Sequence, residues 1–340
     1  MFSRPAQSLP AFTCRRDLGN HASVAGAKRH TEPCNLQTED ARKRRNKRKA
    51  GTEESREGTK KKRRSTQSPS AQLGQRYKEL QPLGQGGFGS VHCGYRKNDY
   101  FPVAIKHIPR EKVFRTNVIK NGKVCELPLE VVLLLKLAPA PGSIGQTAAI
   151  ALMDWYDLEQ ELILVLERPS PCMDLRKYLE DSGGVLEEHE AKIILRQLVA
   201  AFIEIHAKGV LHRDVKLENI LVETVCDIHR FRVIDFGCGC TLEEGPYTTC
   251  CGTRLYFPPE WYEHHSYMAG PFTVWQLGVV LFTLLNGHLP FYTRTHILQC
   301  NPATNDWLSQ NCHDLLQWCL AKCPEDRPTL EDLLLHPWLE

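Results

Sequence analysis

Several features are missing from this 340-residue sequence, and each absence excludes a class of protein. No apolar run reaches the ~20 residues that a membrane-spanning helix requires, and the N-terminus lacks the apolar core of a secretory signal peptide. The 14 cysteines are scattered through a long chain, which is not the pattern of a small disulfide framework. We therefore predict a protein outside the membrane, with free thiols in a reducing compartment.

The first 75 residues are poor in aromatic and in acidic side chains. They contain 18 Lys+Arg and 7 Asp+Glu, whereas residues 76–340 contain 25 and 33. A segment of this kind, rich in Ser, Thr, Lys and Arg, cannot bury enough apolar surface to fold alone. We predict a disordered basic tail over 1–75 and a folded, acidic unit over 77–340.

A glycine-rich pattern opens the folded part. Gly84, Gly86 and Gly89 form G-x-G-x-x-G, and Val91 follows. Glycine lets backbone N–H groups approach phosphate oxygens without interference from a side chain. The same pattern opens dinucleotide-binding domains, but there it leads directly into a helix. Here two strand-like segments follow, SVHCGYR and YFPVAIKHI, which favours a phosphate-covering loop between strands.

The strand VAIK ends in Lys106, whose ammonium needs a partner in such apolar surroundings. A candidate lies in ELPLEVVLLLKLAP, where Pro128 suits a first helical turn and Pro139 ends the apolar pattern. Glu130 is the one carboxylate inside that helix, and a buried carboxylate is costly unless it is paired. We predict a Lys106–Glu130 ion pair. On these residues alone, a solvent-facing Glu130 stays possible.

Two further motifs follow in a fixed order. HRDVKLEN spans 212–219, and DFG begins at Asp235, sixteen residues after Asn219. Either tripeptide alone occurs often by chance. The whole series GxGxxGxV, VAIK, HRDxKxxN and DFG in this order does not. It is typical of enzymes that transfer a phosphoryl group.

Phosphoryl transfer depends on positioning and on charge neutralisation, and the motifs supply residues for both. We predict that Asp214 orients the acceptor hydroxyl and accepts its proton. Lys216 would stabilise charge on the migrating phosphoryl group, and Lys106 would hold the phosphates. Asn219 and Asp235 supply the oxygen ligands that Mg²⁺ prefers.

With these motifs, the sequence resembles the Pim family of serine/threonine protein kinases over residues 77–340. The specific segments are LERPSPCMDL, ELPLEVVLLLKL, YFPPEW and VWQLG. The resemblance implies an α+β, two-lobed protein kinase fold, with a β-rich N-lobe at 77–166, a hinge at 167–174 and a helical C-lobe at 175–340. It also implies an enzyme that uses ATP and Mg²⁺ to phosphorylate serine and threonine in proteins.

The resemblance further implies how ATP is held. Pro169 lies in the hinge, where most kinases present a backbone N–H, and proline has none. Adenine would therefore keep one hinge hydrogen bond, to the carbonyl of Glu167. The implied ATP-binding residues are Leu83, Gly84, Gly86, Gly89, Val91, Ala104, Lys106, Glu130, Leu166, Glu167, Leu221 and Ile234.

Substrate recognition and activation are also implied by the resemblance. Asp174 and Glu218 match acidic positions that bind arginines before the target hydroxyl, so protein substrates with basic residues before Ser or Thr are expected. In the activation loop, Thr249 and Cys251 replace acidic residues of the family, which makes constitutive activity less secure. The family also implies a Glu260–Arg327 pair, an apolar column of Leu134, Leu152, His212 and Phe236, and Thr273 in place of a helix aspartate.

Alternatives stay open. A pseudokinase scaffold on the same fold is the main one, although the lysine, HRD and DFG residues are intact. The cysteines at 238, 240, 250 and 251 have the wrong spacing for a zinc knuckle, and they are either redox-sensitive or inert. The basic tail binds polyanions without specificity, so no specific nucleic acid partner is predicted.

The tail contains basic clusters at 42–49 and 60–64. Either it is a solvated arm or it is a two-part nuclear import signal that binds an import receptor. The second alternative predicts a protein in both cytoplasm and nucleus. Ser65 and Thr66 directly follow the second cluster and are predicted autophosphorylation sites.

Overall fold

The computed structural model describes residues 68–120, 122–140, 144–224 and 229–340. The basic clusters at 42–49 and 60–64, with Ser65 and Thr66, lie outside these residues. The strands are β1 (Tyr77–Gly86), β2 (Gly89–Arg96), β3 (Pro102–Pro109), β4 (Arg115–Lys120), β5 (Lys123–Pro128), β6 (Leu152–Asp157), β7 (Glu161–Glu167), β8 (Cys172–Asp174), β9 (Val210–Leu211), β10 (Ile220–Glu223), β11 (Arg230–Val233) and β12 (Cys240–Thr241). The α-helices are α1 (Pro69–Arg76), α2 (Leu129–Lys136), α3 (Leu175–Asp181), α4 (Glu188–Ala207), α5 (Pro259–His264), α6 (Ala269–Asn286), α7 (Arg294–Gln299), α8 (Gln310–Cys319) and α9 (Leu330–Leu334).

The N-lobe is built on an antiparallel sheet in the order β1-β2-β3-β7-β6. Side chains alternate between the two faces of a strand, so Val103 and Ile105 of β3 enter a small core with Tyr156 of β6. Ala104 and Lys106 point to the opposite face, where Ala104 lies across from Leu166 of β7. The predicted two-lobed α+β fold is confirmed, and this second face of the sheet forms the roof of the site.

A hairpin of β4 and β5 precedes α2. The sequence analysis did not predict it, although Asn-Gly at 121–122 is a preferred dipeptide for a hairpin turn. Its last residue, Pro128, is the N-cap of α2. The hairpin therefore delivers the chain into the helix that carries Glu130.

The C-lobe is organised around α6, whose residues from Phe272 to Asn286 are all buried. It ends at Gly287, in left-handed conformation (φ 76°), where a Cβ would lie 2.8 Å from the carbonyl oxygen of Gly184. Only glycine fits such a helix end. In the described part of the chain, α6 alone is long and apolar enough to cross a membrane, and 83% of it is buried inside the protein. The helix is thus the centre of the lobe core.

Helix α1 lies in a stretch for which the sequence predicted disorder, up to residue 75. Ser68 caps it by accepting a hydrogen bond from the backbone N of Ala71, and Pro69 occupies the first turn, where a missing N–H costs nothing. At its other end, Arg76 forms an ion pair with Asp154 of β6. This tertiary contact, which composition could not reveal, extends the ordered unit to a point before Tyr77.

Candidate active site

Lys106, Glu130 and Asp235 form a triad beneath the sheet, in which Lys106 and Glu130 are buried and Asp235 is half-buried. The Nζ atom of Lys106 lies 2.7 Å from a carboxylate oxygen of each acid. Burial lowers the pKa of Lys106, but the two carboxylates more than offset this and raise it above its usual value. Burial acts to raise the pKa of Asp235, yet Lys106 holds it below its usual value. The predicted Lys106–Glu130 pair is confirmed, and it shares its ammonium with the aspartate of DFG.

The glycine-rich turn between β1 and β2 covers this triad. Gly86 pairs with Gly89 at the end of the ladder, and Lys106 lies under the ring of Phe88, with Nζ 5.8 Å from the ring centroid. A Cβ at Gly89 would lie 1.8 Å from the carbonyl oxygen of His107, so no other residue fits there. Around Gly84 and Gly86, by contrast, a Cβ would meet nothing within 4 Å. Their backbone is thus open to a group placed below the turn.

Asp214 is held from several sides on the loop after β9. Its Oδ1 atom accepts a hydrogen bond from the backbone N of Thr253 at 2.8 Å. Its Oδ2 atom lies 2.9 Å from Nζ of Lys216 and accepts a bond from the Asn219 amide at 3.1 Å. Lys216 also donates to the Thr253 hydroxyl at 2.9 Å. The Asp214 side chain is 6% exposed, and these contacts fix its orientation before any substrate arrives.

Two residues next to these carboxylates have strained backbones. Arg213 and Asp235 have φ values of 68° and 63°, in the left-handed region that non-glycine residues rarely adopt. Such strain persists only where surrounding contacts enforce it, and it is concentrated at functional sites. Here the strain lies at Arg213, directly before Asp214, and at Asp235 itself.

Asn219 and Asp235 are suited to a divalent cation. The Asn219 amide nitrogen donates hydrogen bonds to the backbone oxygen and to Oδ2 of Asp214. Its side-chain oxygen is therefore the atom that could coordinate a cation. The Asp235 side chain is 31% exposed while it pairs with Lys106. Carboxylate and amide oxygens are ligands for hard cations such as Mg²⁺. The described residues contain no group of three or more His, Cys, Asp or Glu side chains that could hold a metal ion, so such an ion would take its other ligands from phosphate and water.

These residues stand in the order and geometry of one enzyme family, and the protein kinase domain model matches residues 77–339. The chain belongs to the protein kinase family. It is 43% identical over 260 residues to the zebrafish (Danio rerio) serine/threonine-protein kinase pim-2, and this alignment covers 76% of this chain and 82% of that protein. It is 36% identical over 269 residues to Caenorhabditis elegans prk-2, over 78% of this chain and 58% of that protein. A mouse PAS domain-containing serine/threonine-protein kinase is 33% identical over 265 residues, which is 18% of its own length. The chain is therefore a Pim-like serine/threonine-protein kinase.

The side chain of Gln276 holds the catalytic loop in place. The sequence analysis did not predict this role. The Gln276 side chain, fully buried in α6, donates to the backbone oxygen of Arg213 at 3.1 Å and accepts from the backbone N of Val215 at 3.2 Å. Thr273 instead bonds His206 of α4, at 3.2 Å. The sequence signal was a single amide in the apolar run FTVWQLGVVLF, since a buried amide requires partners.

The apolar residues predicted around adenine belong to strands of the N-lobe and to the segment from β10 to DFG. Leu83 is exposed, whereas Val91, Ala104, Leu166, Leu221 and Ile234 are half-buried. In the hinge, Glu167 uses its backbone N–H for the Ala151 oxygen, and Pro169 has no N–H. Positions 167 and 169 of this kinase therefore offer no free backbone donor.

The side chain of Glu167 lies in a buried ion-pair network that the sequence analysis also missed. Arg232 of β11 is fully buried and bonds both carboxylate oxygens of Glu167, at 3.2 and 3.0 Å. It also bonds Glu223, at 2.9 Å, and the backbone oxygen of Ala149, at 2.9 Å. The network connects the hinge to the strand that leads into DFG.

The column of residues that aligns the two lobes is present in part as direct contacts. The rings of His212 and Phe236 lie 4.9 Å apart. Leu134 and Phe236 belong to the main core, and Leu152 packs against it. His212 also bonds the backbone oxygen of Ile234, at 3.0 Å. DFG and the catalytic loop are therefore held together by side chain and by backbone.

The activation segment is tied down at both ends. The Arg213 guanidinium donates to the backbone oxygens of Cys238 at 2.6 Å and Thr249 at 3.5 Å. No carboxylate pairs with it within the residues that the structure covers. The predicted Glu260–Arg327 pair is confirmed as two parallel hydrogen bonds, of 2.9 and 2.8 Å. It anchors the end of the segment to the lower lobe.

The two acidic residues predicted to bind substrate already have partners within the chain. Asp174 caps α3, where its Oδ1 atom accepts the backbone N–H of Lys177 at 2.9 Å. Glu218 lies 3.2 Å from Nε of Arg176, and its side chain is 46% exposed. An arginine from a substrate would meet Arg176 beside Glu218, a competitor that sequence spacing did not predict.

Proposed function

We propose that this kinase transfers the terminal phosphoryl group of ATP, bound with Mg²⁺, to serine or threonine preceded by basic residues. One observation carries the proposal: Asp214 is fixed by Thr253 and Asn219 while Lys216 lies 2.9 Å from it. A carboxylate so held can orient a hydroxyl and accept its proton.

The other roles follow from position. Lys106, beneath the glycine-rich turn, would bind phosphate oxygens through its ammonium, while Glu130 keeps it in place. Asn219 and Asp235 would hold Mg²⁺, which neutralises phosphate charge when bound. Lys216, which also bonds the Thr253 hydroxyl, would reach the transferred group beside Asp214.

The test is the substitution Asp214→Asn, which keeps the shape of the side chain but removes its basicity. We expect a fall in turnover of at least about 10²-fold, because a positioned base contributes about that much, with ATP affinity nearly unchanged. Turnover on a peptide and nucleotide binding by calorimetry measure the two effects. A variant that keeps more than about a tenth of wild-type turnover would refute the role of Asp214. A wild-type protein that binds ATP without turnover would support the pseudokinase alternative.

The preference for basic substrates rests on Asp174 and Glu218 and on the excess of acidic residues after position 75. Charge reversal at Glu218 should reduce turnover of arginine-containing peptides far more than that of neutral peptides, and added salt should narrow the gap. Arg176→Ala, which removes the competing arginine, should increase the difference in turnover between arginine-containing and neutral peptides. A peptide library in which acidic or proline-directed peptides are the best substrates would refute the preference.

For the basic tail we propose a role in nuclear import. Deletion of residues 42–64 should then shift the protein from nucleus to cytoplasm. An unchanged distribution would refute the import role and favour the alternative, a solvated arm. Autophosphorylation at Ser65 or Thr66 would add about −1.5 to −2 charge beside the signal and weaken its binding to an acidic receptor. Mass spectrometry should find this phosphate in active protein and not in the Asp214→Asn variant.

A further inference from the structure

Two cysteines meet across the activation segment. Cys238 directly follows DFG, and Cys251 lies thirteen positions later. Their sulfur atoms are 2.8 Å apart. Since an S–S bond measures about 2.05 Å, a movement of less than ~1 Å would bring the two atoms to bonding distance.

The surroundings hold this pair in place. Arg213 bonds the backbone oxygen of Cys238 and that of Thr249, and thus joins the two stretches that carry the thiols. Gly252 follows Cys251 with a φ of 123°, and a Cβ there would lie 2.6 Å from the Arg213 backbone oxygen. The packed backbone around the two cysteines therefore holds their thiols close together.

The two thiols differ in character. Cys238 is buried, whereas Cys251 is half-buried. The hydrogen bond with Cys238 lowers the pKa of the Cys251 thiol to about 7; burial acts in the opposite direction, and Arg213 adds to the lowering. The pKa of Cys238 is raised by the same hydrogen bond and by burial. Because the thiolate is the nucleophile, Cys251 is the residue that would react first with an oxidant.

We propose that Cys238 and Cys251 form a reversible disulfide on exposure to a peroxide, and that this bond holds the activation segment in the arrangement seen here. In the first step the Cys251 thiolate attacks a peroxide oxygen, an S–O bond forms and the O–O bond breaks. With hydrogen peroxide the leaving hydroxide takes a proton to become water, and Cys251 is a sulfenic acid. In the second step the Cys238 sulfur attacks Cys251, the S–O bond breaks, and hydroxide leaves with the Cys238 proton as a second water. Two electrons have passed from sulfur to the peroxide, and a dithiol reductant reverses the change.

The bond would preserve the catalytic arrangement because it closes a contact that already exists beside Asp214. The backbone N of Thr253, two residues after Cys251, donates to Asp214. A cross-link between Cys251 and Cys238 removes conformations in which the segment has moved away from Asp214, and it leaves the conformation seen here accessible. Oxidation should therefore slow proteolysis of the segment and leave phosphoryl transfer intact.

The experiment maps the bond on the full chain. Protein treated with hydrogen peroxide is alkylated, digested without reduction and analysed by mass spectrometry. Cleavage after Glu243 or Glu244 separates the two thiols. We expect a cross-linked pair of peptides containing Cys238 and Cys251, lighter by about 2 Da than the sum of the two free peptides, the mass of two hydrogens, and lost after dithiothreitol. Cys250→Ser, the matched control one position away, should keep the cross-link, whereas Cys251→Ser should lose it.

Mapping reads no kinase activity, so it is repeated on the Asp214→Asn variant, where the cross-link should form even if the proposed catalytic role fails. Oxidised wild-type protein should also be cleaved more slowly within 239–250 than oxidised Cys251→Ser protein. The proposal is overturned if the Cys238–Cys251 peptide is absent, or if other cysteine pairs in the segment form in equal amounts. It is equally overturned if the cross-link forms and abolishes turnover that dithiothreitol then restores.

Discussion

The buried network at the hinge allows a sharp test through Arg232→Met. Methionine keeps most of the length and apolar volume of the side chain but removes the charge. Glu167 and Glu223, with side chains 6% and 13% exposed, would then face each other without a cation. Removal of one partner from a buried ion pair costs about 3–5 kcal/mol, because the remaining charge stays desolvated. Each kcal/mol lowers the Tm of a domain of this size by about 2–4 °C, so a fall of roughly 6–20 °C is expected.

Urea unfolding and thermal melts measure this cost. The matched control is Arg230→Met, two residues earlier on the same strand, because Arg230 is half-buried and bonds the Gly145 carbonyl, and none of its ion pairs lies within the described residues. It should cost less than about 1 kcal/mol, as exposed pairs do. Combining Arg232→Met with Glu167→Gln and Glu223→Gln should recover part of the loss, since no charge is then left unpaired. A loss below about 1 kcal/mol for Arg232→Met alone, or no recovery in the triple variant, would refute the reasoning.

Three further outcomes are expected. Arg327→Met should reduce the free energy of unfolding by about 3–5 kcal/mol, measured by urea titration, because it leaves the buried carboxylate of Glu260 unpaired. A loss smaller than that of Glu260→Gln would contradict this reasoning. Burial lowers the pKa of His206 to about 4; the unfolded chain binds this proton from about pH 6.5 downward, so folded stability should fall between about pH 6.5 and 4. His206→Gln should remove part of that fall when unfolding curves at pH 7 and pH 5 are compared, and equal slopes would count against it. Pro169→Ala adds a hinge N–H, so inhibitors with a matching acceptor should bind more tightly by about 0.5–1.5 kcal/mol, whereas unchanged inhibition constants would show that the hinge does not face them.

The catalytic centre could be predicted because its residues lie in short motifs and because buried charge must be paired. Lys106 and Glu130 are far apart in sequence, yet each stands alone in an apolar element, and the cost of an unpaired charge predicts their contact. Asp214 and Asn219 share one loop, so their spacing alone keeps them together. These positions follow from local sequence and one electrostatic rule.

The supporting contacts could not be predicted in the same way. Arg232 stands in RFRV, where alternation with Phe231 and Val233 is typical of a solvent-facing side chain. It is buried because β11 packs under the hinge, which depends on the whole fold. Arg176 beside Glu218, and Ser68 as the cap of α1, are likewise set by neighbours in space. A single sequence carries no signal for such pairs unless a buried polar group, as at Gln276, stands out from its surroundings.

The glycines of the phosphate-covering turn are kept for two different reasons. At Gly89 any substitution introduces a Cβ that would collide with the His107 carbonyl, so variants there are removed by misfolding. At Gly84 and Gly86 a Cβ meets nothing, and a variant can fold while its turn no longer accommodates phosphate. A mutational scan that scores cellular abundance and one that scores phosphorylation should therefore agree at the third glycine and diverge at the first two. Within one motif, glycine is therefore required for folding at Gly89 and for catalysis at Gly84 and Gly86.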